Sequence, residues 1–159
     1  MKDFHTRDDK DRLRISNSLN SHMPNEKSPR IVFMGDHMVV CGKSRFEKLV
    51  SELGAEIGSE EVARTVLEGE SMELRVDNQG RTVIPQEYLV GDLAEREVYI
   101  ISVKGKTEED NYLDIFPKKV YDKIIEDFFK GTTFLAQSGL KGKIKEIKGN
   151  EYEEGRRKD

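Results

Sequence analysis

The stretch RVDNQGRTVIP, residues 75–85, carries the pattern that decides the fold. In it, Asp77 and Arg81 flank a three-residue turn, and Gly80 directly precedes the arginine. Gly80 indicates a turn position with positive φ, which three-residue hairpin loops commonly require. The apolar residues after Arg81 predict a short strand that ends at Pro85. An exposed ion pair contributes only about 0.2–1 kcal/mol, so the pattern alone is also typical of a fastened hairpin turn.

The same pattern occurs near the start of the chain. DDKDRLRIS, residues 8–16, aligns without a gap with DNQGRTVIP, residues 77–85. The corresponding pairs are Asp8 and Asp77, Asp11 and Gly80, Arg12 and Arg81, and Ile15 and Ile84. Aspartate is one of the few residues besides glycine that adopt positive φ, so both copies can form the same turn. The recurrence of a weak ion pair in the same place favours a function for the motif beyond fastening a turn.

The two halves of the chain contain similar segments in the same order. Each half is predicted to run strand, turn, strand, connector, two strands and helix. The second half begins with a strand over 72–76, with Met72, Leu74 and Val76 on one face. The later segments that correspond are 29–35 and 96–102, 38–41 and 113–116, and 42–53 and 117–128. Residues 17–28 are predicted to form a loop, and residues 86–93 a short helix or turn.

We therefore interpret the chain as a tandem duplication with an α+β fold. The predicted units are a first repeat over 1–54, a linking helix over 55–70, a second repeat over 71–131 and a charged, mobile tail over 132–159. The linking helix has Ser59 as its N-cap and Val62, Val66 and Leu67 on its buried face. The helix over 117–131 has an apolar face at helical spacing, formed by Val120, Tyr121, Ile124, Ile125 and Phe128.

Composition limits the functional classes. The 159 residues suit one domain or two small halves that share a core. The net charge of −4 argues against a generic polyanion binder, but allows arginines gathered on one face. With no Trp, seven Phe and five Tyr, the core is small and is expected to borrow apolar surface from a partner subunit.

Targeting and metal signals are missing from the sequence. Cys41 is the single cysteine, and no second cysteine or histidine lies near it with metal-ligand spacing. The N-terminal segment is charged throughout, and no apolar run approaches the roughly 20 residues that a membrane span needs. We expect a cytoplasmic protein with no membrane partner, no cofactor and no small-molecule substrate.

The two DxxxR motifs, Asp8 to Arg12 and Asp77 to Arg81, resemble those of the MraZ family of bacterial transcriptional regulators. The resemblance covers roughly residues 3–131 and is stronger in the second half, where VDNQGRTVIP is similar to the AbrB-type signature. It implies tandem swapped-hairpin β-barrel halves, each with a helix, which assemble into a ring-like homo-oligomer. It further implies binding to short direct repeats in promoter double-stranded DNA, and hence association with the nucleoid.

The resemblance also assigns roles to individual residues. Arg12 and Arg81 would be the principal DNA contacts, and Asp8 and Asp77 would orient them. Gly80 would shape the second turn. The full set of candidate DNA-binding residues is Arg12, Arg81, Lys10, Arg14 and Arg75; no catalytic or metal-binding residue is predicted. Arginine presents a planar fork that suits guanine and phosphate, and a two-stranded ribbon is slim enough to enter the major groove.

The first loop departs from the second in its charge. Arg7 and Arg14 stand where the second copy has Val76 and Val83. These arginines either add phosphate contacts or leave the first hairpin less well packed, and we favour phosphate contacts.

Two other classes of function compete with DNA binding. A protein-interaction or antitoxin-like scaffold, which has lost or weakened DNA binding, would suit the acidic balance and the degenerate first motif. An enzyme is disfavoured, because no nucleophile–base pair or metal cluster occurs at either motif. The GKS sequence at 42–44 lacks the glycine spacing of a phosphate-binding loop and is predicted to start a helix. Phe128 and Phe129 are predicted to lie in the core or in a subunit interface.

Overall fold

A six-stranded antiparallel sheet forms the centre of the fold in the computed structural model, which describes residues 1–130. The elements of the first half are β1 (Lys2–Thr6), β2 (Arg12–Arg14), α1 (Ser16–His22), β3 (Arg30–Phe33), β4 (Met38–Cys41), α2 (Lys43–Ile57) and α3 (Glu60–Gly69). Those of the second half are β5 (Ser71–Glu73), β6 (Arg81–Val83), β7 (Glu97–Val103), β8 (Tyr112–Pro117) and α4 (Lys118–Lys130). Short 3₁₀ helices span Gln86–Tyr88, Gly91–Ala94 and Glu108–Asp110. The α+β class is therefore confirmed, and the predicted tail over 132–159 lies outside the described residues.

The two halves are interleaved in the large sheet. Its strand order is β1-β7-β8-β4-β3-β5, so β1 pairs with a strand of the second half and β5 with a strand of the first. The strands β2 and β6 form a separate two-stranded sheet, which we call the ribbon. No pairing closes the large sheet into a barrel within residues 1–130.

The strand pairings of the two halves are equivalent. When each residue of a pair is replaced by its counterpart in the other half, the result is in most cases again an observed pair. In the ribbon, Arg12 pairs with Val83 and Arg14 with Arg81, which are corresponding pairs in the alignment that places Arg12 on Arg81. The pairing of β1 with β7 also matches the pairing of β5 with β3. Phe4 pairs with Tyr99, and its counterpart Glu73 pairs with Arg30, so Arg30 corresponds to Tyr99. The structure thus adds a residue register to the predicted correspondence of the segments 29–35 and 96–102, because apolar strands without a turn motif fix no register from sequence.

The sequence does not predict the partners of the strands next to the second turn. They do not pair with each other, because β5 adds to the edge of the large sheet beside β3 and β6 pairs with β2. The predicted loop over 17–28 is wrong in part. Residues 16–22 form the helix α1 rather than part of a loop. Asn and Ser are weak helix formers, so this segment carries no helix signal, and tertiary packing of Leu19 against the core decides the conformation.

The core lies on both faces of the large sheet, because successive strand residues point to opposite faces. One face carries Ile31, Val40 and Ile100 and is covered by the ribbon, α1 and the 3₁₀ helices Gln86–Tyr88 and Gly91–Ala94. The other face carries Val32 and Cys41 and is covered by α2 and α3. The ribbon and the helices α2 and α3 therefore lie on opposite sides of the sheet.

The predictions for α3 and α4 are confirmed in part. Ser59 caps α3 by accepting a hydrogen bond from the backbone N of Val62 at 3.2 Å, which confirms the predicted cap. Of the three residues predicted on its buried face, Leu67 is buried, which confirms that part of the prediction. Val62 and Val66 are 52% and 48% exposed, because the helix turns Ala63 and Leu67 toward α2. In α4, Tyr121 is buried as predicted. Ile124 and Phe128, on the apolar face of α4, are 45% and 37% exposed. Phe128 therefore does not lie in the core of this chain, and its placement in a subunit interface stays a prediction.

None of the helices within residues 1–130 combines the length and the apolar character that crossing a membrane requires.

Candidate nucleic-acid interface

The two DxxxR segments form matching loops at the start of β2 and of β6. Loop 1 comprises residues 8–12 and loop 2 comprises residues 77–81. In loop 1, Asp8 Oδ1 accepts hydrogen bonds from the backbone N atoms of Lys10 and Arg12, both at 2.9 Å. Its Oδ2 accepts from Arg12 Nε at 2.7 Å. One carboxylate thus fixes both the turn and the arginine side chain.

Loop 2 repeats this network atom for atom. Asp77 Oδ1 accepts from the backbone N atoms of Gln79 at 2.8 Å and Arg81 at 3.0 Å. Asp77 Oδ2 accepts from Arg81 Nε at 3.1 Å. In each loop a backbone hydrogen bond also joins the aspartate N to the arginine O, at 3.1 Å in loop 1 and 2.8 Å in loop 2. The geometry shows each aspartate bracing the arginine of its own loop.

These hydrogen bonds favour the ionised form of both carboxylates. The backbone N–H of Arg12, together with its guanidinium and the N–H of Lys10, lowers the pKa of Asp8 to about 2. The backbone N–H groups of Arg81 and Gln79 likewise lower the pKa of Asp77. Both braces are therefore charged at neutral pH.

The predicted turn conformations are confirmed in both loops. Asp11 has φ of 58° and Gly80 has φ of 79°. Each of these residues also fastens the other half, because Gly80 O accepts from the backbone N of Ile15 and Asp11 O from that of Ile84, both at 2.9 Å. Gly80 O accepts a second hydrogen bond, from the backbone N of Ser16 at 3.2 Å. Pro85, which corresponds to Ser16 in the other half, has no backbone N–H and cannot donate the equivalent bond.

The ribbon has one buried and one exposed face. Leu13 and Thr82 pair with each other and are both 1% exposed against the core. By the alternation of strand residues, the opposite face of the ribbon carries three arginines and one valine. We call these four residues the ribbon face: Arg12, Arg14, Arg81 and Val83.

The Asp8 carboxylate lies near both motif arginines. Arg81 Nη1 lies 4.0 Å from Asp8 Oδ2, so Asp8 interacts with an arginine from each half. The Arg12 and Arg81 side chains are 27% and 21% exposed. Their braces occupy only the Nε atoms, and neither arginine donates a hydrogen bond from an Nη atom within residues 1–130. The outer edge of each guanidinium fork therefore keeps its donors.

Arg14 differs from the two motif arginines. Its Nη1 donates to the backbone O of Gln79 at 2.5 Å, which attaches it to loop 2. The side chain is exposed, and no carboxylate pairs with it in the part of the chain that the structure describes. Arg14 is thus a cation of the ribbon face without a matching acid.

Arg7 does not supply the phosphate contact that the sequence suggested. The residue is only 4% exposed, and its guanidinium donates to the backbone O atoms of Ala94 at 3.2 Å and Glu95 at 3.1 Å. It also pairs with Asp11 at 3.3 Å. These carbonyls belong to the other half of the chain, so no local pattern could have indicated that Arg7 is buried.

The remaining predicted cations lie at the margins of the ribbon face. Lys10 is exposed within loop 1, and Arg75 is exposed just before loop 2. Arg96, which sequence reasoning missed, donates from Nη2 to Asp8 O at 2.7 Å and is also exposed. Its position after a 3₁₀ helix carries no motif, so only the structure places it beside loop 1.

An open groove of about 590 Å³ borders loop 2. One wall is α1, which contributes Leu19 and Asn20, and the other is loop 2, which contributes Asn78 and Gln79; Arg14 also lines it. Metal-ligand groups were sought in residues 1–130, and no cluster of three His, Cys, Asp or Glu side chains there is placed to hold a metal ion. The groove thus offers guanidinium and amide groups, together with the carboxylate of Asp77, which braces Arg81.

Comparison of the chain with protein-family models and with curated proteins finds no match in either.

Proposed function

We propose that this protein is a sequence-specific, DNA-binding transcriptional regulator of the swapped-hairpin class, and that the ribbon face contacts double-stranded DNA. The observation that carries the proposal is the twofold repetition of an arginine braced through Nε by an aspartate. A brace of this kind lowers the entropy lost when the arginine binds, and it leaves the Nη fork for guanine or phosphate. The interleaving of the halves and the pairing of β2 with β6 support the swapped-hairpin class.

The shape of the ribbon suits the proposed ligand. The major groove of B-DNA admits a two-stranded ribbon, and the ribbon here is only three residues long on each strand. One such ribbon offers few contacts. A ring-like homo-oligomer that presents several ribbons to spaced promoter repeats would combine weak contacts into tight binding.

Selection of DNA from a random library tests this proposal, followed by affinity measurements on the selected duplex. We expect an enriched repeat, and a loss of roughly 10-fold or more in affinity for Arg12→Ala or Arg81→Ala. Lys123→Ala is the matched control, because Lys123 is 75% exposed on α4 and outside the loops and the ribbon. Unchanged affinity in both arginine variants would reject the ribbon face as the interface.

A protein-interaction scaffold, including an antitoxin-like one, is the second candidate. The observation that favours it is the exposed pair Val62 and Val66, one helical turn apart on α3. This class predicts that Val62→Glu with Val66→Glu abolishes association with a protein partner. It also predicts that no DNA sequence is enriched by the wild-type chain, which separates it from the first candidate.

A further inference from the structure

The two ends of the ribbon differ in chemistry, although their backbones match. At loop 2, Arg14, Asn20, Asn78 and Gln79 line the groove. The alignment that places Asp8 on Asp77 gives the residues that correspond to them in the other half, which are Val83, Leu89, Asp9 and Lys10. The loop 2 end thus carries an arginine and three amides, whereas the corresponding positions in the other half are two apolar residues, an acid and a lysine.

The segment before each loop adds to this difference. Arg7 is buried and tied to the backbone of the 3₁₀ segment that precedes β7, so the chain entering loop 1 is fixed. Val76 occupies the corresponding place before loop 2, is 39% exposed, and lines the groove. The second end therefore retains an open surface beside its loop.

Both ends carry cations beyond those of their loops. Loop 1 has three acids and two bases, and Arg7 and Arg96 contact it as two further cations. Loop 2 has one acid and one base, and Arg14 adds a cation whose guanidinium is held by the backbone O of Gln79. The two ends therefore attract a polyanion to a similar extent, and they differ in the polar groups that they present.

The groove contains the side-chain types that recognise base edges. Arginine bonds in bidentate fashion to guanine O6 and N7, and asparagine or glutamine to adenine N6 and N7. Base contacts specify sequence, whereas phosphate contacts position the protein. The amides of the groove carry no charge, so they add little to affinity for arbitrary DNA.

We propose that the groove beside loop 2 is the base-recognition end of the DNA interface, with Arg14, Asn20, Asn78 and Gln79 as its specificity-determining residues, and that loop 1 serves to position the ribbon. This inference rests on the proposed function. It means that one subunit recognises an asymmetric DNA sequence, although its ribbon is nearly symmetric.

Substitutions borrowed from the opposite half provide the test. Asn20→Leu and Asn78→Asp each introduce the residue that the chain already carries at the corresponding position. We expect each to lower affinity for the wild-type-selected duplex roughly 10-fold. Asn20→Leu should change affinity for a scrambled duplex of the same composition little, whereas Asn78→Asp should also weaken the scrambled duplex, but by less, because its added negative charge repels any DNA. Arg14→Val should weaken both, and Arg14→Gln is the second variant if the valine disturbs folding. Thermal unfolding checks each protein.

The matched control reverses the exchange in loop 1. Asp9→Asn with Lys10→Gln gives loop 1 the residues of loop 2 and should leave the ranking of duplexes unchanged. If the groove variants keep the wild-type ranking while the wild type binds its duplex specifically, the inference is rejected and the proposed function stands. If the wild type selects no sequence at all, the proposed function fails as well.

Discussion

Gly80 and Asp11 occupy the same position in the two loops but have different neighbours. A Cβ atom on Gly80 would clash with Ser16 Oγ, and its φ of 79° disfavours any side chain. Asp11 adopts φ of 58° and uses its carboxylate to pair with Arg7. Glycine in loop 2 therefore meets both a conformational and a steric requirement, whereas aspartate in loop 1 offsets its strain with an ion pair.

Gly80→Ala should lower the free energy of unfolding by about 1–3 kcal/mol, because alanine would hold a left-handed conformation beside Ser16. Chemical denaturation at neutral pH measures this change. Gly69→Ala is the control, since Gly69 is an exposed helical residue whose added Cβ would meet nothing within 4 Å. That variant should be neutral or more stable by up to about 1 kcal/mol. Equal destabilisation by the two substitutions would contradict the role given to loop 2.

Residue-level prediction succeeds where the determinants are local. The positive φ of Gly80 and Asp11 and the bracing by aspartate follow from residues within one turn. The burial of Arg7 depends on carbonyls at Ala94 and Glu95, which sequence spacing does not bring together.

At the scale of elements, Asp110 joins the loop between β7 and β8 to α2. It is 4% exposed, its Oδ1 accepts from Ser44 Oγ at 2.6 Å, and its Oδ2 pairs with Lys48 Nζ. The hydrogen bonds from Lys48 and Ser44 lower the pKa of Asp110 to about 2. This carboxylate is the main polar link between the longer loop of the second half and the helix of the first.

Asp110→Asn should flatten the loss of stability in acid. A carboxyl whose pKa is lowered on folding stabilises the native state above its ordinary pKa of 3.8, and the stabilisation is lost as pH falls toward about 2. Urea midpoints at pH 7, 4 and 3 should therefore fall less in the variant than in the wild type, from a lower starting value at pH 7. Glu109→Gln, at the exposed neighbouring position, is the control, and its urea midpoint should fall with pH as that of the wild type does. If the urea midpoint of Asp110→Asn fell with pH as steeply as that of the wild type, the contact of Asp110 with Lys48 and Ser44 would not stabilise the fold.

Element types are predicted well where the apolar pattern is strong. The strand β7 and the helix α2 stand out by β-branched content and by helical periodicity. The short helix α1 escapes prediction, since its Ser- and Asn-rich sequence has low intrinsic helix preference. The pairing of β5 away from β6 escapes it too, because a turn motif predicts contact across the turn but not the partners of the strands beyond it.

At the scale of the whole molecule, a net charge of −4 coexists with a cationic ribbon face. Any attraction to DNA is therefore local and sensitive to added salt.

We expect affinity for the selected duplex to fall steeply with salt, and the slope of log K against log salt to decrease by about 1 per bound subunit in Arg75→Ala or Lys10→Ala if each contacts one phosphate. Titrations between low and moderate salt measure this slope. Lys123→Ala should leave it unchanged. A slope that is equal in all three variants and the wild type would remove Arg75 and Lys10 from the interface.

The interleaved sheet also determines when the protein can fold. During synthesis β1 and β2 leave the ribosome early, but their partners β7 (Glu97–Val103) and β6 (Arg81–Val83) are among the later elements made. Until then the first half exposes unpaired strand edges, which are the surfaces that pair with other chains. A neighbouring copy in the same state offers the same edges, so the interval before β7 emerges is when two nascent chains are most prone to exchange strands.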